Sequence, residues 1–197
     1  FADRLRSNNL RHHEAWMGFT RTLLPGIEYP LPTSTMSRKE CTELMAPALM
    51  AALNKSGMQR NFPRAAVYGP QQFQGLGVKD PYLTQGIEHI RAIIDTPQLK
   101  SGTSDLIAAV VEQLYVQLGT SAGLETDPKL FGKVVDDDTW IGHTWKFLRE
   151  QLISVLPETG KPKLRRAGDQ FLMDVAATIF RTPSEIDRVN RCRLHLQ

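Results

Sequence analysis

Three consecutive aspartates, Asp136-Asp137-Asp138, are the first residues in the chain whose type and spacing suggest chemistry. Adjacent carboxylates at a hairpin turn can hold a pair of magnesium ions. Two valines precede these aspartates as in such a site, but Thr139-Trp140 and a helical pattern follow them. Carboxylates at the start of a helix accept hydrogen bonds from free backbone amides and complement the helix dipole. We therefore predict a helix cap at Asp138 rather than a metal site.

The segment from Gly119 to Gly123 matches the letters Gly-x-Ser-x-Gly of a hydrolase nucleophile, with Ser121 at its centre. Such a serine must lie on a sharp turn that leads from a strand into a helix. Here a helical pattern precedes the segment, so the context is reversed. We interpret Gly119 as the left-handed end of a helix and set the hydrolase aside.

Cys192 and His195 have the spacing of half a zinc site, but no second pair of ligands occurs at a matching spacing. The alternation of Cys192, Leu194 and Leu196 predicts a short strand with Cys192 buried. The chain has two cysteines, which offer no disulfide framework and favour a reduced, intracellular setting, nuclear or cytoplasmic. We predict no catalytic residue, no metal site and no cofactor within this chain.

Basic side chains are the remaining candidates, and they form two sets. The first set comprises Arg60 and Arg64 with Tyr68, beside a glycine-rich loop at 69–77. Such sets neutralise the phosphate groups of nucleic acids, although solvated basic faces without a ligand are the alternative. The second set lies near the carboxyl end and comprises Lys161, Lys163, Arg165, Arg166, Arg188, Arg191 and Arg193.

Charge is distributed unevenly along the 197 residues, although the formal net charge is only +3. Residues 1–68 and 161–197 each carry a net charge of +4, whereas residues 69–160 carry −5. Two basic ends can contact a polyanion, but such asymmetry also arises by chance. No run of about 18 apolar residues is available to span a bilayer, so we predict a soluble protein with no membrane partner.

Helical periodicity predominates in the elements that must position these residues. It predicts one amphipathic helix from Ala2 to Leu24, ended by Pro25-Gly26. In the helix that starts after Ser37, Pro47 is expected to cause a kink or a break. Asp80 is expected to cap a helix whose buried stripe is Ile87, Ile90 and Ile94. The next helix is expected to bury Leu106, Ile107, Val110, Val111, Leu114 and Leu118.

Ser37 with Glu40 and Thr182 with Glu185 form two capping boxes, each at the start of a helix. Short strands are predicted at 64–68 and 192–196. The sequence therefore predicts a mainly α fold, a helical bundle-like array with one or two short strand elements.

Motifs spread over nearly the whole chain resemble the region that follows the palm in reverse transcriptases of retrotransposons, as found in protist and fungal genomes. None of them is a catalytic signature, so the resemblance depends on their number and order. They are Ala2-Asp3-Arg4, Glu14-Ala15-Trp16, Glu28-Tyr29-Pro30-Leu31, Thr35-Met36-Ser37 with Cys41 and Met45, Phe62-Pro63-Arg64-Ala65, Tyr68-Gly69-Pro70, Gly75-Leu76-Gly77, Tyr82 with Gln85-Gly86-Ile87, His143-Thr144-Trp145 and Asn190-Arg191-Cys192-Arg193-Leu194.

The resemblance implies a non-catalytic nucleic-acid-binding fragment of an RNA-directed DNA polymerase from a mobile element. Residues 1–100 would be a thumb-like helical region, and residues 101–197 a post-thumb helical region with a basic carboxyl-terminal segment. The chain starts at Phe1 without an initiator methionine, so we expect it to be part of a longer polypeptide. The resemblance implies that the upstream part contains the palm and fingers. Those parts would carry the Asp-Asp turn and use magnesium. The partners would be template RNA, an RNA–DNA hybrid or DNA.

A helical protein-interaction module without a nucleic-acid role is the alternative function. In that reading Trp16, Trp140 and Trp145 belong to a core or to a protein interface. An upstream reading frame with the Asp-Asp turn would favour the polymerase instead.

Overall fold

The computed structural model describes residues 1–136, 138–155 and 162–196, and this part of the chain is mainly helical. It divides into two compact units, Phe1–Glu88 and His89–Gln197. Each unit buries an apolar core of its own. The division lies inside a helix, whereas the sequence predicted a division after residue 100.

Six α-helices begin in the first unit, and the last of them continues into the second. Short 3₁₀ turns at Leu31–Thr33 and Gln71–Phe73 lie between them. The helices are α1 (Ala2–Ser7), α2 (His12–Met17), α3 (Leu24–Glu28), α4 (Arg38–Lys55), α5 (Arg64–Tyr68) and α6 (Pro81–Asp95).

The helices that begin in the second unit surround its core. Two 3₁₀ turns, Thr96–Leu99 and Gly123–Glu125, flank the first of them. The helices are α7 (Gly102–Leu118), α8 (Pro128–Phe131), α9 (Trp140–Glu150), α10 (Leu172–Ile179) and α11 (Pro183–His195). In the described part of the chain, no helix is both long enough and apolar enough to cross a membrane.

The predicted capping box at the start of α4 is confirmed. Ser37 Oγ accepts a hydrogen bond from the Glu40 amide at 3.3 Å, and Glu40 Oε2 accepts one from the Ser37 amide at 2.8 Å. We expected Pro47 to kink the helix or to break it into two, and the break is absent because α4 continues past Pro47 to Lys55. Met45 and Leu49 on either side are buried in the core, and their burial offsets the roughly 3 kcal/mol that a proline costs inside a helix.

The amino-terminal region is more divided than its periodicity predicted. A single helix from residue 2 to residue 24 was expected, with Pro25 ending it. Instead α1 and α2 are separate, and a π-helix, Gly18–Leu23, leads directly into α3. Pro25 lacks an amide and its ring crowds the carbonyl one turn earlier, and the wider π turn accommodates both effects.

Both predicted strands are wrong, because no described residue lies in a strand. Residues 64–68 form α5, in which the Pro63 carbonyl accepts hydrogen bonds from the Ala66 and Val67 amides, both at 3.0 Å. Residues 192–195 belong to α11, and Cys192 is exposed rather than buried. The Thr182–Glu185 capping box starts α11, and an alternation of three residues is too short to override a helix that has already begun.

The predicted buried face of α6 is also wrong. We expected Ile87, Ile90 and Ile94 to be buried, but Ile87 and Ile94 are 45% and 49% exposed. Gln85 is buried in their place. Its Oε1 accepts hydrogen bonds from Ser34 Oγ at 2.7 Å and from the Met36 amide at 3.1 Å. Burying a side-chain amide without hydrogen-bond partners would destabilise the fold. Gln85 can be buried because Ser34 and Met36, just before α4, supply those partners.

The loop at 69–77 is held by close backbone contacts. The Gly77 amide donates to the Gly69 carbonyl at 2.9 Å, and the Gly75 amide donates to the Pro70 carbonyl at 3.1 Å. A Cβ atom at Gly75 would lie only 2.1 Å from the Gly69 carbonyl oxygen. The loop therefore requires glycine at position 75.

We expect Gly75→Ala to lower the free energy of unfolding by about 1–3 kcal/mol, because backbone must move to admit the methyl group. Chemical denaturation followed by circular dichroism measures the change. Gly26→Ala is the matched control, since a Cβ there meets no atom within 4 Å. Equal stability of the two variants would contradict the loop conformation.

Candidate nucleic-acid interface

Helix α5 brings two of the predicted residues together. Arg64 is its first residue and Tyr68 its last, so the two side chains lie one turn apart on the same face. Both line a pocket of about 150 Å³ in the first unit. The other lining residues come from the start of α4 and the start of α6, and they are Arg38, Cys41, Thr42, Asp80 and Pro81.

Arg38 is a residue that the sequence did not single out. Its guanidinium carbon lies 4.5 Å from the centroid of the Tyr82 ring, a cation–π contact between α4 and α6. Tyr82 is buried, which fixes the ring, while Arg38 itself is exposed. The contact therefore holds a cationic side chain at the pocket in a restricted set of rotamers.

Asp80 is the acidic residue of the pocket, and its carboxylate caps the start of α6. Oδ1 accepts hydrogen bonds from the Tyr82 amide at 2.9 Å and from the Leu83 amide at 3.3 Å, as predicted for a helix cap. Two guanidinium groups and one capping carboxylate give the pocket a net positive charge.

Burial raises the pKa of the Cys41 thiol to about 11, and the charge of Asp80 adds to the effect. Burial, and then Asp80, also raises the pKa of the Tyr68 hydroxyl. Cys41 therefore stays in its thiol form at neutral pH. Tyr68 remains a neutral hydroxyl that can donate a hydrogen bond.

Arg60 lies on the turn before α5, and its Nε is 3.4 Å from the sulfur of Met50 on α4. Its side chain is exposed. Among the described residues, Arg38, Arg60 and Arg64 have no carboxylate within 4.0 Å. Arg60 and Arg64, the two cations of the first predicted set, are therefore not held in an ion pair with any described carboxylate.

Phe73 is an exposed aromatic residue in the loop at 69–77. It ends the 3₁₀ turn Gln71–Phe73, and 77% of its surface is exposed. The Phe73 amide donates to the Pro70 carbonyl at 3.0 Å, so the backbone beneath the ring is fixed. An aromatic ring is thereby presented to solvent on a constrained loop close in sequence to Tyr68.

In the second unit, Lys163, Arg165 and Arg166 are exposed on the segment that precedes α10. The Arg166 amide donates to Asp169 Oδ2 at 3.1 Å, but the three charged side chains have no acidic partner in the described ranges. Lys161, the remaining member of this segment, lies outside the described residues.

The three arginines of α11 differ in their surroundings. Arg188 is exposed and has no ion pair within the described part of the unit, whereas Arg191 pairs with Asp187 at 2.7 Å. Arg193 makes hydrogen bonds to other residues of the protein. Its guanidinium donates to the Val116 and Gln117 carbonyls at the end of α7 and to Asn190 Oδ1.

Helix α7 ends at Gly119, as predicted, with a left-handed φ of 63°. A side chain at this position would be strained, and its Cβ would also lie 2.7 Å from the Arg193 guanidinium carbon. The segment around Ser121 therefore follows the end of a helix, whereas the serine nucleophile of a hydrolase follows a strand.

The aspartate run lies just before α9, but Asp138 is not its cap. Thr139 is the capping residue, and its Oγ1 accepts a hydrogen bond from the Gly142 amide at 3.1 Å. Asp136 Oδ1 accepts one from the Asp138 amide at 3.0 Å, while Asp137 lies outside the described residues. In the described ranges, no group of three histidine, cysteine or acidic side chains is placed to hold a metal ion.

The three tryptophans are accounted for by packing. Trp145 is fully buried in the core of the second unit. Trp140 is partly buried against that core, and Trp16 is partly buried against the core of the first unit. Their presence therefore requires no protein partner.

No protein-family model, curated protein or solved structure matches the chain. The exposed cations and the pocket in the first unit are therefore the features from which a function can be inferred.

Proposed function

We propose that this chain binds nucleic acid through phosphate contacts, as a non-catalytic part of an RNA-directed DNA polymerase. One observation carries the proposal: several predicted cations are exposed without an acidic partner in the described part of the protein. A cation that is already paired must give up that pair before it contacts a phosphate, and these cations need not. They are Arg60, Arg64, Lys163, Arg165, Arg166 and Arg188.

The polymerase context rests on the resemblance to the region after the palm of reverse transcriptases. In that context the chain is intracellular and contacts template RNA, an RNA–DNA hybrid or DNA. The palm and fingers of the same polypeptide would supply the catalytic carboxylates and the magnesium. The cations of this chain would then fix the position of the nucleic acid and read little of its sequence.

The test replaces Arg165 and Arg166 together with alanine. Affinity for a fluorescent RNA–DNA hybrid is expected to fall for every sequence tested, because the lost contacts are to phosphates. Each phosphate contact releases counterions, so the slope of log affinity against log salt should shrink by about 1–2. Fluorescence anisotropy at a series of salt concentrations measures both effects.

The control is Arg6→Ala with Lys39→Ala, which removes the same total charge outside both predicted sets. Arg6 pairs with Asp3 at 3.2 Å and Lys39 with Glu43 at 3.8 Å, so we expect a much smaller change in affinity and in slope. If the unaltered chain bound no nucleic acid at about 50 mM salt, the proposal would be overturned in favour of the protein-interaction module. Equal effects in both double variants would mean that net charge alone drives binding.

A further inference from the structure

We propose that the pocket between Arg38 and Arg64 holds one phosphate of a single-stranded nucleic acid, and that Phe73 stacks on a nearby base. This inference rests on the proposed function and adds to it the kind of strand that is bound. It also adds Arg38 and Phe73, which the sequence did not identify as binding residues.

The pocket brings together two cations from separate elements. Arg38 is at the start of α4 and Arg64 is at the start of α5, and both line the same 150 Å³ space. Ordinary sites for small molecules enclose roughly 300–1,000 Å³, so this one suits a single anionic group rather than a whole nucleotide. Planar guanidinium groups match the oxygen geometry of a phosphate.

The Tyr82 ring restrains the Arg38 side chain before a ligand arrives. Arg64 is fixed only at its backbone, by the first turn of α5. Because Arg38 loses fewer rotamers on binding, less free energy is spent on ordering its side chain. The protonated hydroxyl of Tyr68, on the same face of α5, adds a neutral donor to the pocket.

Asp80 weakens the attraction for an anion but does not cancel it. Its Oδ1 accepts two hydrogen bonds from the first amides of α6, where the helix dipole also favours negative charge. The surplus cation remains for the ligand. We therefore expect the pocket to take one phosphate group with moderate affinity, strengthened by contacts beyond the pocket.

Phe73 supplies such a contact. It lies five positions after Tyr68, so the two Cα atoms are at most about 18 Å apart even along a fully extended chain. Base stacking on an exposed aromatic ring is a principal contribution when proteins bind single strands. The faces of bases inside a duplex are covered by their neighbours, and the exposed ring therefore favours an unpaired strand.

The experiment compares a labelled 15-nucleotide oligo(dT) and the matching oligo(U) with an RNA–DNA hybrid of the same length. Arg38→Gln with Arg64→Gln should weaken single-strand binding about tenfold or more and reduce the salt slope by about 0.7, the value for one phosphate. Phe73→Ala should weaken it at least about fivefold with an unchanged salt slope, since stacking releases no counterions. Binding of the hybrid should change less in both variants.

Two controls match these changes. Arg6→Gln with Lys39→Gln removes two exposed charges that are paired with Asp3 and Glu43. Tyr29→Ala removes an aromatic ring that is 88% exposed and does not line the pocket. Circular dichroism verifies that each variant is folded, and Phe73→Ala tests the inference even if the arginine variant is not.

The outcomes separate this inference from the proposed function. Single-strand affinity unchanged by Phe73→Ala, or equal losses in the arginine pair and its control, would overturn the inference. If Arg165→Ala with Arg166→Ala still reduced hybrid binding, the proposed function would stand without it. Equal losses for hybrid and single strand would also overturn the preference for an unpaired strand.

Discussion

Replacing Trp145 with alanine is expected to lower the free energy of unfolding by about 3–5 kcal/mol, the range typical of a large aromatic side chain removed from a core. Trp145 is fully buried among the apolar residues of the second unit. Its Nε1 donates a hydrogen bond to the Thr126 carbonyl at 2.9 Å. The substitution would leave both a cavity and a carbonyl without its donor.

Chemical denaturation followed by circular dichroism measures this change, and Trp145→Phe separates its two causes. The phenyl ring keeps most of the buried surface but lacks the donor, so we expect a loss of about 1–3 kcal/mol. A loss below about 1 kcal/mol for the alanine variant would contradict the burial of Trp145.

Leu114→Ala is expected to destabilise the chain by about 2–5 kcal/mol through the lost transfer free energy and the cavity left behind. Leu114 is fully buried on α7, between Val111 and Leu118, which are also buried. The same denaturation measurement applies. Leu106→Ala is the matched control on the same helix, because Leu106 is 68% exposed, and it should change stability by less than about 0.5 kcal/mol.

Equal losses at Leu106 and Leu114 would show that the buried face of α7 is assigned incorrectly. The sequence placed both leucines in the buried stripe, and only the structure distinguishes them. Helical spacing identifies a face within about one residue, but the ends of a stripe are buried only where another element covers them.

Local signals predicted the starts of the helices well. The capping boxes of α4 and α11 and the aspartate cap of α6 are confirmed. In each, the interacting groups lie within three residues of each other, so the sequence contains the whole interaction. The strand predicted at 192–196 was wrong because it also rested on a local pattern. An alternation of three residues is compatible with either a strand or a helix.

Interactions between distant residues explain what the sequence could not predict. Arg38 becomes part of a site through the ring of Tyr82 and the residues of α5, none of which is close to it in the chain. Gln85 is buried because Ser34 and Met36 satisfy its amide. Within the carboxyl-terminal basic set, composition alone cannot distinguish an arginine that is exposed to solvent from one that makes hydrogen bonds within the protein.

Arg193 makes the end of α7 depend on the docking of α11. Its guanidinium satisfies the Val116 and Gln117 carbonyls, which lie 77 and 76 residues earlier in the chain. Residues so far apart in the chain can meet only when α11 is packed against α7, whereas the hydrogen bonds inside each helix join residues four apart. The final carbonyls of α7 consequently lose these partners whenever α11 detaches, and the amides of the last turn should then be less protected against hydrogen exchange.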